Sequence, residues 1–220
     1  SRELKARRIP FHLDAVQCFG RIPVDLSTVP VAMVSLSAHK FGGPKGVGAL
    51  FVRQGTAWTR WLQGGNQERS RRGGTVNVPG AAGMAAAIEQ TKNVDIDKIR
   101  RTRDWLETAI LEGIPYAWIV GGEADRLPNT CCLCVPGCDS STLLDRLDER
   151  GYAVASGSAC TTGVADPSHV LLAIGMAPED AHSTIRISLG PSTDADALTE
   201  FVGALAAEVA AVRGRAVAIL

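Results

Sequence analysis

Short apolar runs in the first part of the chain predict three strands of one sheet. They cover residues 9–14, 31–36 and 47–52, and turn-forming or polar residues separate them. The run at 31–36 is almost wholly apolar, which predicts a buried strand. Open α/β sheets place their ligands at the carboxyl ends of such strands, so we expect chemistry just after these runs.

The rest of the chain alternates between helical and extended patterns. Residues 63–80 are polar, glycine-rich and basic without periodicity, which predicts a long functional loop. Helical spacing of apolar residues follows at 79–90 and 95–112. Further on, the pattern predicts strands at 118–120, 129–135, 152–155 and 184–189, and helices at 140–150, 167–175 and 194–212. This order predicts an α/β main domain followed by a smaller α+β domain.

Composition narrows the class of protein. The chain has 220 residues, 45% hydrophobic content and a formal net charge of zero, which suits a globular protein of one or two domains. No apolar run has the length of a membrane span, and no signal-peptide core is present, so we expect a cytoplasmic protein. Balanced charge indicates neither a nucleic-acid partner nor a membrane surface, and favours a small acidic or zwitterionic substrate.

Six cysteines without a secretory signal predict reduced thiols rather than a disulfide framework. Cys131, Cys132, Cys134 and Cys138 lie close together in the sequence, but strand alternation points Cys131 away from Cys132 and Cys134. One face cannot gather all of them, so the pattern favours core packing over a metal site.

Lys40 is the residue that most indicates chemistry. It lies between the strand at 31–36 and a glycine-rich turn, where an amine can hold a carbonyl cofactor as a Schiff base. Ser37 and His39 next to it are side-chain donors suited to a phosphate. The alternative is a solvated lysine in a loop.

Asp14 adds a carboxylate to this picture. A pyridoxal phosphate site needs a carboxylate that keeps the pyridine nitrogen protonated, and parallel strands would bring Asp14 and Lys40 to the same sheet edge. Gln17, expected on the first turn of a helix, could then reach the phenolic oxygen of the cofactor. The alternative for Asp14 is a helix N-cap.

Six ordered motifs resemble the pyridoxal-phosphate cysteine desulfurases of the class-V aminotransferase family. They are HLDAVQ at 12–17, SAHK at 37–40, GPKG at 43–46, RGGT at 72–75, SGSAC at 156–160 and STIRISLG at 183–190. The resemblance covers nearly the whole chain and points to the subgroup with a Ser-Gly-Ser-Ala-Cys loop. It implies an α/β, fold-type I architecture in which residues 1–92 are the C-terminal part of the large cofactor-binding domain. Residues 93–220 would then form the small domain that carries the cysteine loop.

The resemblance also implies roles for the residues that bind the cofactor. Lys40 would be the Schiff-base lysine, Asp14 the partner of the pyridinium nitrogen and Gln17 the partner of the phenolic oxygen. Ser37 and His39 would bind the phosphate. Thr75 would complete the phosphate site of a neighbouring subunit, which makes a homodimer part of the expected active site.

The same resemblance implies the reaction. Arg186 would bind the carboxylate of L-cysteine, and it lies in an apolar strand where a buried charge needs a partner. Cys160, in a loop of small residues, would take the substrate's sulfur as a persulfide and release L-alanine; the alternative is a small buried cysteine. The sulfur acceptor would be an iron–sulfur scaffold or a thiolation partner.

Two further interpretations remain open at this level. The chain could belong to a selenocysteine or cystine lyase or to another class-V enzyme, or it could be a non-catalytic partner of a complete desulfurase. The family's glycine/threonine phosphate turn and the residue stacked on the ring belong to a preceding part of the sheet, and we cannot locate them in these 220 residues. We therefore expect a longer polypeptide, and poor cofactor binding by this segment alone.

Overall fold

The computed structural model describes residues 2–156 and 167–217, with side chains described to residue 214. The chain divides into two compact units, Ser1–Val94 and Asp95–Leu220. Each unit has its own sheet and its own apolar core.

The first unit contains a three-stranded sheet in the order β1-β2-β3. Its strands are β1 (His12–Asp14), β2 (Met33–Ser37) and β3 (Gly48–Val52). β1 runs parallel to β2 with Asp14 opposite Ser35, and β3 runs antiparallel to β2 with Gly48 opposite Ser37. The parallel pair places the carboxyl ends of β1 and β2 at the same edge of the sheet.

One face of β2 is apolar and the other carries serines. Val34 is fully buried with Val31 and Ala15, whereas Ser35 and Ser37 on the opposite face are only partly buried. The predicted buried strand is thus buried only in part. Strand alternation places the serine hydroxyl groups on the second face, where they can contact polar groups.

Short helices and turns complete the first unit. They are α1 (Arg2–Ala6), the 3₁₀ turn Ala38–Phe41, the irregular single turn α2 (Gln67–Ser70) and α3 (Val78–Thr91). The predicted loop at 63–80 thus contains α2 and the start of α3. Helix α3 begins early because the Asn77 side chain accepts a hydrogen bond from the Gly80 amide (3.0 Å) and Pro79 suits the first turn.

The second unit has a four-stranded antiparallel sheet in the order β4-β5-β7-β6. Its strands are β4 (Trp118–Ile119), β5 (Thr130–Cys134), β6 (Ala155–Ser156) and β7 (Thr184–Ser188). Its helices are α4 (Ile96–Gly113), α5 (Ser140–Asp148), α6 (His169–Ala173), α7 (Pro178–His182) and α8 (Ala195–Val217). Over the described ranges, no helix has the length and apolarity needed to cross a bilayer.

Helices α4, α5 and α8 pack together beside the sheet of this unit. Leu106, Leu133 and Leu205 are completely buried there. Helix α8 also buries the charge of Glu208, which pairs with Arg146 of α5 and with Arg150 just after that helix. A buried carboxylate needs such partners, because an unpaired charge in the core would be strongly destabilising.

Two elements of the second unit differ from the pattern-based prediction. The strand expected at 152–155 begins only at Ala155, because the Tyr152 amide donates to the Leu147 carbonyl (2.9 Å) and belongs to the end of α5. The Tyr152 ring then packs edge-on against Phe201 of α8, with ring centroids 5.3 Å apart. Helix α7 was missed, since five residues are too few to show a helical period.

Candidate active site

Lys40 lies in the 3₁₀ turn that follows β2 directly. The turn ends at Gly42, whose φ of 90° is in the left-handed region and whose amide bonds the Ala38 carbonyl. Gly43 also donates to that carbonyl (2.9 Å), and a Cβ at Gly43 would lie 2.8 Å from the Ala38 Cβ. The tight turn therefore fixes the main chain from which the half-buried Lys40 side chain extends.

Helix α3 supports the same turn from outside. It contacts the 3₁₀ turn, and its Gly83 lies so close to Pro44 that a Cβ there would be 2.9 Å from the proline Cγ. The glycine-rich segment after Lys40 is thus held between the sheet and a helix. The glycines of this region allow neighbouring chain segments to pack closely, and they also allow the chain to turn.

Asp14 ends β1 at the sheet edge where Lys40 follows β2. Its Oδ1 accepts a hydrogen bond from the Val16 amide (2.9 Å), and within the described residues Oδ2 has no hydrogen-bond partner. The side chain is exposed. A bond to the residue two positions on makes an Asx turn rather than the helix N-cap that we considered. The carboxylate keeps one oxygen for a ligand.

Gln17 follows in a series of turns, so its expected place on a first helical turn was wrong. The amides of Cys18 and Phe19 both bond the Ala15 carbonyl, at 3.0 Å, but no helix continues from there. The Gln17 side chain is exposed and its Oε1 accepts from Arg21 (3.0 Å). A turn rather than a helix still leaves this amide accessible near the end of β1.

Ser37 and His39 form a pair at the same edge. Ser37 Oγ lies 2.9 Å from His39 Nδ1, and the direction of donation depends on the histidine tautomer. His39 is exposed, and both groups can donate to an anion. Thr75, predicted to serve a neighbouring subunit, is an exposed residue between α2 and α3.

Two contacts in this region escaped the sequence interpretation. Arg21 donates from Nη2 to the Lys40 carbonyl (3.0 Å), and His12 Nε2 lies 2.8 Å from Ser35 Oγ. Each joins residues 19 or 23 positions apart, so no local pattern indicates them. Strand register alone could have suggested the second contact, because His12 and Ser35 lie on the same face of neighbouring strands.

Arg186 lies in the centre of β7, opposite Cys132 of β5 and Ala155 of β6. The sequence led us to expect a buried guanidinium that needs a partner, and Arg186 is half-buried. No ion pair or hydrogen bond to its side chain occurs within the described parts of the chain. The side-chain donors of Arg186 are therefore available to a carboxylate ligand.

The cysteines of β5 differ in burial. Cys131 and Cys134 are completely buried and Cys132, beside Arg186, is half-buried. Burial raises the pKa of all three thiols, and the positive charge of Arg186 partly opposes this at Cys132. In the parts that the structure describes, no group of three metal-ligating side chains is close enough to hold an ion. Cys160 lies outside the described residues.

Iodoacetamide should therefore modify Cys134 far more slowly in the folded protein than in urea at pH 8. Burial raises the pKa of Cys134 from 9.0 to about 11, and only about one such thiol in a thousand is ionised at pH 8. The folded state holds the thiol proton more tightly than the unfolded state does. The raised pKa therefore contributes fully to the free energy of unfolding below pH 9, and this contribution declines toward pH 11. Mass spectrometry of timed samples measures the two rates, and equal rates would contradict the buried position.

The comparisons with known proteins give the family of this chain. The sequence profile described as aminotransferase class-V matches residues 1–201. The chain belongs to the class-V aminotransferase family. A cysteine desulfurase of Rhodobacter capsulatus is 43% identical over 198 residues, which cover 89% of this chain and 51% of that protein.

Similar solved structures give the fold. The X-ray structure of a NifS-like protein from Rickettsia africae superposes with a TM-score of 0.85 and 33% identity, and covers 94% of this chain and 55% of that one. The protein described as "SspA in complex with cysteine" has a TM-score of 0.70 and 31% identity, and covers 88% of this chain and 54% of that one. The predicted α/β, fold-type I architecture is thus confirmed, and the chain spans about half the length of the relatives it matches.

The residues present fit the pyridoxal phosphate that the class-V family implies. A lysine amine and a carboxylate follow the adjacent parallel strands β2 and β1, and the Ser37–His39 pair offers donors for a phosphate beside them. The chemistry of this donor set matches the aldehyde, the ring nitrogen and the phosphate of the cofactor.

Proposed function

We propose that this chain is part of a pyridoxal-phosphate-dependent cysteine desulfurase. The observation that carries the proposal is the parallel pairing of β1 and β2, which puts Asp14 and the Lys40 turn at one sheet edge. Relatives named cysteine desulfurase, at 41–44% identity, support the choice within the class-V family.

The cofactor would be held by residues of the first unit. Lys40 would hold its aldehyde, Asp14 its ring nitrogen, Gln17 its phenolic oxygen, and Ser37 and His39 its phosphate. When bound, pyridoxal phosphate supplies an electron sink for the carbon next to the substrate's amino group. The Asp14 carboxylate keeps a proton on the ring nitrogen by its negative charge.

The substrate would be bound through its carboxylate by Arg186. The guanidinium matches a carboxylate in charge and shape, and no group within the described residues occupies it. The structure of SspA in complex with cysteine supports a cysteine substrate for this fold. Lys40 Nζ is the base that we assign to the proton on the substrate's α-carbon.

Cys160 would carry the sulfur away. Its thiolate attacks the substrate's sulfur, a new sulfur–sulfur bond forms as the carbon–sulfur bond breaks, and the electron pair of that bond remains on the carbon that becomes the methyl group of alanine. The persulfide sulfur then passes to a thiol or scaffold acceptor. An iron–sulfur scaffold or a thiolation protein has the chemistry to accept it.

The assembly that we propose is a homodimer in the cytoplasm. Thr75 is exposed on the first unit and would complete the phosphate site of the second subunit. Five cysteines in the described residues form no disulfide, which suits a reducing compartment. Residues 1–92 would belong to the large cofactor domain and 93–220 to the small domain with the cysteine loop.

Replacing Cys160 by serine should abolish sulfide release from L-cysteine without loss of the bound cofactor. A serine hydroxyl cannot accept sulfur as a persulfide, so we expect turnover in the full-length protein to fall by at least about 1,000-fold. Sulfide and alanine are measured together, with dithiothreitol as the acceptor.

Cys132→Ser is the matched control, because Cys132 is a half-buried thiol beside Arg186 with no assigned part in sulfur transfer. It should retain turnover within a few-fold. Full activity of Cys160→Ser on selenocysteine but not cysteine would favour a selenocysteine lyase. Full activity of that variant on cysteine would contradict the proposal.

A further inference from the structure

Arg21 joins two residues that the proposed function assigns to the cofactor. Its Nη1 donates to the Gln17 carbonyl (2.8 Å) and to the side-chain Oε1 of Gln17 (3.0 Å), and its Nη2 donates to the Lys40 carbonyl (3.0 Å). Among the described residues no carboxylate pairs with this half-buried guanidinium. Its donors instead link the segment after β1 to the turn that carries Lys40.

These hydrogen bonds decide which end of the Gln17 amide faces outward. A guanidinium only donates, so the oxygen of the amide must point at Arg21 and the NH₂ group must point away. Within the described residues, the Gln17 Nε2 donates to no protein acceptor, and the side chain is exposed. The phenolic oxygen of pyridoxal phosphate is ionised and accepts hydrogen bonds, so only the NH₂ end can serve it.

The charge of Arg21 also strengthens that donor. A hydrogen bond from a cation polarises the amide it contacts, which makes the opposite N–H groups better donors. Burial lowers the pKa of the Arg21 guanidinium, and the interaction with the nearby Cys18 side chain opposes this change. An arginine remains protonated at neutral pH, so the polarising charge is always present.

Packing of the two residues before Arg21 fixes the geometry independently. The Phe19 ring lies against the Phe41 ring of the Lys40 turn, with centroids 4.9 Å apart at 59°. Gly20 has a φ of 75°, and a Cβ there would lie 2.9 Å from Thr91 Cγ2 of α3. The chain next to Arg21 therefore has little freedom to move away from Lys40.

We propose that Arg21 is a positioning residue that presents the NH₂ end of the Gln17 amide to the phenolic oxygen of pyridoxal phosphate and anchors the main chain of Lys40. Arg21 acts through Gln17 and Lys40 and does not itself touch the cofactor. The inference rests on the proposed function of these two residues.

The test uses the cofactor-loaded full-length protein and the pH dependence of its absorbance. In Arg21→Gln, the pH midpoint of the absorbance change of the bound pyridoxal phosphate should rise by about one unit. A hydrogen bond to the phenolic oxygen competes with the proton for that oxygen, and this variant removes the hydrogen bond. The dissociation constant of pyridoxal phosphate should rise about tenfold. Arg21→Lys should keep the midpoint near that of the wild type, since an ammonium also only donates.

Arg53→Gln is the matched control. Arg53 is a partly buried arginine of the same unit that donates to the carbonyls of Val31 (2.7 Å), Leu26 (2.7 Å) and Val29 (2.9 Å). Within the described residues its side chain has no hydrogen bond to a proposed site residue. Its loss should lower the melting temperature without moving the midpoint. In a Gln17→Ala background, Arg21→Gln should move the midpoint no further than Gln17→Ala alone.

The outcomes separate the inference from the function on which it rests. If Arg21→Gln changes only the melting temperature, as Arg53→Gln does, Arg21 is merely structural and the inference is overturned while the proposed function stands. A midpoint that moves as far in Arg21→Lys as in Arg21→Gln also overturns it. If the wild-type protein carries no pyridoxal chromophore on Lys40, both proposals fail.

Discussion

Replacing Lys40 by alanine should leave the full-length protein with no borohydride-reducible link to pyridoxal phosphate and should lower turnover of L-cysteine by about 10⁴-fold or more. Lys40 is the amine that we assign both to the cofactor's aldehyde and to the α-carbon proton. No other lysine of the described residues lies in the turn directly after β2. Borohydride reduction followed by peptide mapping identifies the modified residue, and a sulfide assay measures turnover.

Lys45→Ala is the control for this experiment. Lys45 is an exposed lysine five positions further on, in the glycine-rich segment after the 3₁₀ turn. Its loss should leave both the labelled peptide and the turnover nearly unchanged. A pyridoxyl label that maps to Lys45, or that persists in Lys40→Ala, would contradict the assignment of Lys40.

Replacing Asp14 by asparagine should lower kcat by at least about 100-fold, comparable to the loss of one preorganised electrostatic partner. Asparagine has nearly the same shape and can still accept the hydrogen bond from the Val16 amide, so the turn after β1 should survive. Only the negative charge that keeps the ring nitrogen protonated is removed. Steady-state kinetics, with circular dichroism to check the fold, measure the effect.

Asp25→Asn is the control, because it removes a carboxylate charge from a similar turn that lies outside the proposed site. Asp25 makes the same local contact as Asp14, because its Oδ1 accepts from the amide two positions on, that of Ser27 (2.8 Å). It lies in no proposed site, so kcat should change by no more than about twofold. If Asp14→Asn and Asp25→Asn have equal effects, Asp14 does not hold the ring nitrogen.

The cofactor residues were accessible to sequence reasoning because their signals are local. An apolar run predicts β2, the glycines after it predict a turn, and Lys40 lies between the two. The same holds for Asp14 at the end of β1. Side-chain periodicity and turn chemistry extend over a few residues, which is the range that a single sequence shows.

The errors arise where distant surfaces meet. Arg186 was expected to be buried because its neighbours in the sequence are apolar, but one face of β7 is only partly covered. Likewise, no local sequence pattern indicates a role for Arg21. Its contact with Lys40 depends on how the turns after β1 pack against the 3₁₀ turn.

The amino-acid sequence by itself determined the order of most helices and strands, the family, and the proposal that a lysine and a carboxylate serve the site. The tertiary structure alone decided that Asp14 lies opposite Ser35, that Arg186 has no ion pair within the described residues, and that Arg21 donates to the Gln17 side chain. The reason is physical: propensity and periodicity act between neighbours in the chain. Strand register, burial and the direction of a hydrogen bond depend on surfaces that only folding brings into contact.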